Sequence, residues 1–280
     1  PFDSFSEWFT GLSDLNRKKI ITSLLELEEA NGVSTQKFVT SVHLISTAFL
    51  QLVKGAPHLE KQFEIIEKAE KINMGLSKWE DHIAPMTTLA DSFTQMVDLL
   101  ANLEVGQGCS LYRVIQTSVD RQSHAVQVLF KRTENGLTVS LMNTGYGAVV
   151  LGPNTVKCKR FELPRDLLAT PLMSKCLEGL LNMGYKTVAG TYEEGELNRQ
   201  FRLVFNTIDP FLQSDEGVIR TQTGGSCTFA SWSRALDGIV GEDVAQTLRM
   251  VLLSQIHQQI KGTPVGDQYC HQIRQATEHV

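Results

Sequence analysis

The sequence predicts an α+β fold: helices fill residues 1–105, and a mostly antiparallel sheet with flanking helices follows in residues 106–280. Three observations predict it. Apolar residues return every three or four positions through the first segment, β-branched and aromatic residues cluster in short runs after "VGQGC" at 105–109, and an Asn-Gly pair divides two alternating runs.

In "LNRKKIITSLLELEEANG" the residues Ile20, Ile21, Leu24, Leu25 and Leu27 share one broad face, with Asn31-Gly32 as the stop. "STQKFVTSVHLISTAFLQLVKG" starts at Ser34, a side chain suited to N-capping, and ends at Gly55 ahead of Pro57. His43 lies among apolar neighbours there, as a core or boundary histidine does. A third helix covers about 57–73 and a fourth about 86–104, where Met86, Leu89, Phe93, Met96 and Leu99 form a stripe suited to packing in a bundle.

The strand signals follow as "SLYRVIQTSV", "HAVQVLFKR", "LTVSLMNTG", "TVKCKRFEL", "FRLVFN" and "GVIRTQ". Between the second and third, Asn135-Gly136 predicts a type I′ hairpin turn, whose two central positions both need positive φ. Helices return at about 171–183 and over 227–261, the last with Val244, Leu248, Val251, Leu252 and Ile256 on one face and Gly262 as its stop.

Composition narrows the partners. With 26 Lys+Arg against 31 Asp+Glu the formal charge is −5, so the chain has no basic field and nucleic acid is not an expected partner. No apolar run approaches the roughly 18–20 residues of a membrane span. The five cysteines, Cys109, Cys158, Cys176, Cys227 and Cys270, are scattered without a CxxC pair, which fits reduced thiols in a cytosol-like compartment better than a disulfide framework or zinc site. No metal or other cofactor is expected, and no motif sets the oligomeric state. Lys157, Lys159, Arg160 and Arg165 fall close together and read as a solvated edge.

The chemistry concentrates in "RTQTGGSCTFASWSRAL", residues 220–236. The pattern starts a helix at Cys227, where unpaired backbone N–H groups and the helix dipole favour a thiolate. A thiolate nucleophile needs an imidazole within reach and a group that orients it. His124, at the start of "HAVQVLFKR", supplies the first. The hairpin brings a position near 145–147 opposite His124, so Asn143 at the end of the next strand supplies the second; Glu162 and Asp166 are alternative orienters. Gln222, five residues before Cys227, is suited to donate to a developing oxyanion. Trp232 reads as core packing.

This order of His, Asn, Gln and Cys, with "HAVQVLFKRTENGLTVSLMNTGYG" and "QTGGSCTFASW", resembles the papain-like superfamily that includes the SUMO-protease and YopJ-type enzymes of peptidase clan CE. It is also similar to papain-like effector proteins of intracellular bacteria. The resemblance covers roughly residues 110–240. It departs in two places: Ala125 rather than Trp follows the histidine, and Thr228 rather than Gly follows the cysteine.

The resemblance implies a papain-like cysteine protease domain in 106–280 that cleaves an isopeptide or peptide bond in ubiquitin or a ubiquitin-like protein. Cys227 would be the nucleophile, His124 the base, Asn143 the orienter and Gln222 the oxyanion donor. The helices of 1–105 would then recruit substrate, or else only dock on the catalytic sheet for stability, and an effector would be secreted into a host cytoplasm, with a cytoplasmic location otherwise. Two alternatives share the same residues: an acetyltransferase of the YopJ type using acetyl-CoA, and an adaptor whose papain-like domain has lost activity.

Overall fold

The structure, a computed structural model, describes residues 2–25, 27, 35–80, 86–116, 123–145, 148–167, 171–183, 196–212, 214–221 and 227–278. Their elements are α1 (Phe2–Thr10), α2 (Asp14–Leu24), α3 (Thr35–Leu52), α4 (Pro57–Glu80), α5 (Met86–Ala101), β1 (Gly108–Gln116), β2 (Ser123–Arg132), β3 (Gly136–Met142), β4 (Val150–Gly152) and β5 (Thr155–Pro164). After a 3₁₀ turn at Arg165–Leu167 come α6 (Pro171–Leu181), α7 (Glu196–Ile208), β6 (Ser214–Arg220), α8 (Cys227–Val240), α9 (Glu242–Ile260) and α10 (Pro264–Glu278). The fold is α+β, with one antiparallel sheet between helices.

The strands lie in the order β1-β2-β3-β5, with β6 on the far side of β5 and short β4 continuing the β5 edge that β3 leaves. Strand alternation sends every second side chain to each face. Cys109, Leu111, Val126, Val128, Phe130, Leu137, Val139, Leu141, Phe161 and Leu163 point to a core shared with α5, α6, α7 and the second half of α4. Leu129, Met142 and Cys158 point the other way, onto α8, which α1–α3, α9 and α10 cover from outside. Both cores therefore draw on residues from either side of residue 105. α4 straddles them: Phe63 and Ile66 enter one, Ala69, Ile72 and Leu76 the other.

Three local expectations need correction. "FRLVFN" is helical, because Leu197, Phe201 and Phe205 recur every fourth residue and bury one stripe of α7 on Phe161. α2 stops at Leu24 rather than running toward Asn31: the Leu27 N–H returns to the Thr22 carbonyl at 2.8 Å, closing the last turn. Asn31-Gly32 and Ser34 lie outside the described residues.

The third correction concerns the hairpin. The Thr133 N–H bonds the Gly136 carbonyl at 3.0 Å, so the turn centres on Glu134-Asn135 and Gly136 is already strand. Gly136 is needed for space, since a Cβ there would stand 1.9 Å from the Leu163 carbonyl oxygen. The other glycine stops agree with the pattern, at Gly55 (φ 85) and Gly262 (φ 77).

β1 is a sheet edge, and α4 seals it with two amide side chains in place of a strand. Gln62 donates to the Gly108 carbonyl at 2.7 Å and accepts from the Gly108 N–H at 3.2 Å. Eleven residues on, Asn73 donates to the Ser110 carbonyl at 3.0 Å and accepts from the Tyr112 N–H at 3.1 Å. Bare backbone at a sheet edge invites pairing with other chains, and buried backbone without partners is costly, so each amide removes both problems.

Between α4 and α8 lies Glu70, fully buried. Burial pushes its carboxyl up to about 8 against bonds from Asn73 and Trp232 that favour the charged form. One of its oxygens, Oε1, has no hydrogen-bond partner among the described residues.

Two outcomes follow. Asn73→Leu strands a buried carbonyl and N–H together, and chemical denaturation should find it less stable by about 2–5 kcal/mol, whereas Lys71→Leu at an exposed ion pair changes little. Because Glu70 titrates higher folded than unfolded, its contribution is full below the ordinary carboxylate range and fades as pH rises through about 8. Melting temperatures of Glu70→Gln should therefore fall less than wild type between pH 7 and 9; an equal fall in both would refute this assignment.

Candidate active site

His124 and Asn143 stand at one end of the sheet, on adjacent strands. The β2–β3 register pairs Gln127 with Met142, which continues to place His124 opposite Gly145 and diagonal to Asn143 on the same face. Their side chains meet: His124 Nε2 lies 2.7 Å from Asn143 Oδ1. The Gly145 N–H also donates to Oδ1 at 3.3 Å, which fixes the amide orientation, since only the oxygen can accept. Nε2 therefore carries the proton, and the basic lone pair is on Nδ1.

Both side chains are buried, His124 to 4% exposure and Asn143 to 2%. Burial holds the imidazole pKa below the usual histidine range, and the Asn143 bond pulls the other way. A neutral imidazole is the form that a general base needs.

α8 approaches the same end of the sheet. Lys131, near the end of β2, donates to the Gly238 and Ile239 carbonyls at 2.7 and 3.2 Å, so its ammonium sits on the negative pole at the C-terminus of α8. Helix carbonyls point toward the helix C-terminus, hence α8 runs in the same direction as β2. Gly238 lies directly on Leu129, where a Cβ would come within 2.5 Å of Leu129 Cδ2. Cys227 opens the helix eleven residues earlier, about 16 Å along its axis. That length matches about five residues of strand, from Leu129 back to His124.

The level agrees but the face does not. Leu129 and Lys131 point toward α8, whereas His124 shares its side of β2 with Val126, Val128 and Phe130 and faces the core of α4–α7. A path from the His124 ring to the first turn of α8 passes round the end of β2. Gln222 and the side chain of Cys227 lie outside what is described.

Other expected residues find different places. Glu162 accepts from Thr133 Oγ1 at 3.0 Å, beside the hairpin turn and at the opposite end of β2 from His124; Asp166 follows it in the 3₁₀ turn. Neither orients His124, because Thr138 and not the strand end is the register partner of Glu162. Lys157 and Lys159 pair with Glu216, and Arg160 with Asp215, across β5 and β6. Trp232 is buried against Phe49 and Phe229. His43 is half-buried, and burial lowers its pKa before Glu67 raises it and Lys71 lowers it.

Three further cysteines are fully buried thiols. Burial pushes Cys158 up to about 11 and Cys176 up to about 12, and raises Cys109 with help from Glu70. None is a thiolate near neutrality. A cavity of about 450 Å³ lies toward the C-terminal half of α8, between Arg234, Asp237 and Gly238 and the strand residues Ser140, Cys158 and Arg160. It is separate from the His124–Asn143 pair. Lys131, which orients α8, went unmarked in the sequence; its one signal is that it continues the α8-facing alternation of Gln127 and Leu129.

The bond to Asn143 favours charged His124, so removing it has a signed effect. By NMR titration of the imidazole, Asn143→Leu should shift the His124 pKa further down, while both proteins lose stability as pH falls below the ordinary histidine range. An upward shift would show that burial is not the dominant cause.

No helix among the described residues is long and apolar enough to cross a membrane. No protein-family model matches the chain, and no curated protein and no solved structure matches it.

Proposed function

We propose that the chain is a cysteine-dependent hydrolase with Cys227 as nucleophile, His124 as base and Asn143 as its orienter. The observation that carries this reading is the 2.7 Å bond from His124 Nε2 to Asn143 Oδ1, which leaves the basic nitrogen as Nδ1 at the level where α8 begins. Its substrate class, a peptide or isopeptide bond of ubiquitin or a ubiquitin-like modifier, is what the resemblance of the four residues' order and spacing to the SUMO-protease and YopJ-type enzymes implies. In this reaction His124 takes the thiol proton, the thiolate adds to the carbonyl, and the imidazolium returns the proton to the leaving amine. Water then releases the acyl group from sulfur. Gln222 and the backbone at the start of α8 are the proposed donors to the oxyanion.

A second reading has its own observation. Because His124 faces the core opposite α8, the pair also suits a buried polar tie between β2 and β3 in a chain that binds partners without cleaving them. The two readings separate cleanly by experiment.

A panel of ubiquitin-family proteins carrying a C-terminal electrophile should label wild type at Cys227 and leave Cys227→Ala unlabelled. His124→Ala should slow labelling or turnover by about 10²–10⁴-fold. Labelling by no member, together with unchanged stability of Cys227→Ala, would remove the hydrolase reading, and autoacetylation from labelled acetyl-CoA at Cys227 would replace it with acyl transfer.

A further inference from the structure

The two edges of the sheet are treated differently. β1 is sealed by Gln62 and Asn73, whereas no described element pairs with the outer side of β6. The Thr221 N–H bonds the Asn154 carbonyl at 3.0 Å, and antiparallel alternation then ties Ile219, Gly217 and Asp215 to β5. The backbone N–H and C=O groups of Ser214, Glu216, Val218 and Arg220 point outward. Val218 is 61% exposed, one residue past the centre of this seven-residue strand, with no proline and no bulge to blunt it.

The strand is complementary to itself. Laid antiparallel against a second copy with Val218 opposite Val218, it puts Glu216 of each chain opposite Arg220 of the other, so that the outward-facing residues Glu216, Val218 and Arg220 meet outward-facing residues. Moving the axis to Gly217 would place Glu216 against Val218 and lose both charge pairs. Glu216 already holds Lys157 and Lys159, and Arg220 already holds Glu242, so the carboxylate and the guanidinium are both fixed at the edge before a partner arrives.

We propose that β6 is a homodimer interface, in which two copies of this chain join their sheets through antiparallel β6 strands about a two-fold axis at Val218. Closing the edge satisfies the outward backbone groups of Glu216, Val218 and Arg220 on both strands and covers Val218.

Sedimentation of the full chain across the micromolar range tests it. Wild type should be a dimer, and Val218→Pro, which removes only an outward N–H, should weaken association by at least about tenfold while far-UV circular dichroism and melting stay unchanged. Mild oxidation should cross-link Val218→Cys into a dimer but not Glu216→Cys, whose two copies lie well apart in this register. Monomeric wild type over the whole range would overturn the proposal, as would a dimer that survives Val218→Pro or a cross-link through Glu216→Cys instead of Val218→Cys. Should Val218→Pro unfold, the cysteine pair decides alone.

Discussion

The direction in which α8 lies on the sheet depends on one cation. Lys131 places its ammonium on the last carbonyls of the helix, and with Gly238 in contact with Leu129 this sets both the direction and the height of α8. The helix is buried on two sides, against the sheet and against α3 and α9, so it has little room to slide. The position of Cys227 in the fold follows from where this helix begins. A charge half-buried at one end of a helix thus fixes what the other end offers.

Polar groups elsewhere in the interior perform similar positioning. Gln62 and Asn73 hold α4 parallel to the β1 edge, and Glu70 with Trp232 joins that helix to α8. These contacts are specific because buried backbone accepts few substitutes, and they cost stability wherever a partner is missing. The Arg234–Asp237–Arg249 set repeats the pattern between α8 and α9, with Asp237 receiving both guanidinium groups. Apolar burial supplies the driving force; these few groups choose one arrangement among the many that would bury the same area.

Much of this was legible in the sequence because it is local. Alternation in "HAVQVLFKR" and the Asn135-Gly136 pair were enough to bring His124 and Asn143 together, since a short hairpin leaves little choice of register. What was not legible depends on tertiary contact. "FRLVFN" satisfies strand composition, and only the stripe of Leu197, Phe201 and Phe205 against Phe161 makes it a helix. The turn centre moved by one residue because Gly136 answers to Leu163 on a neighbouring strand, not to its own φ. Which face of β2 meets α8 was equally out of reach: periodicity tells which residues share a side, and packing alone tells what covers it.

The core beneath α8 joins Phe5, Phe9, Ile20, Phe49 and Phe63 to Trp232, Leu252, Ile256 and Ile273. α1–α3 therefore carry apolar faces whose partners, on α8–α10, are made long after them. α1–α3 cannot bury those faces fully until α8–α10 have been made, and contacts of such long sequence separation form late and slowly. Synthesis of this protein therefore includes an interval in which the apolar faces of α1–α3 are exposed.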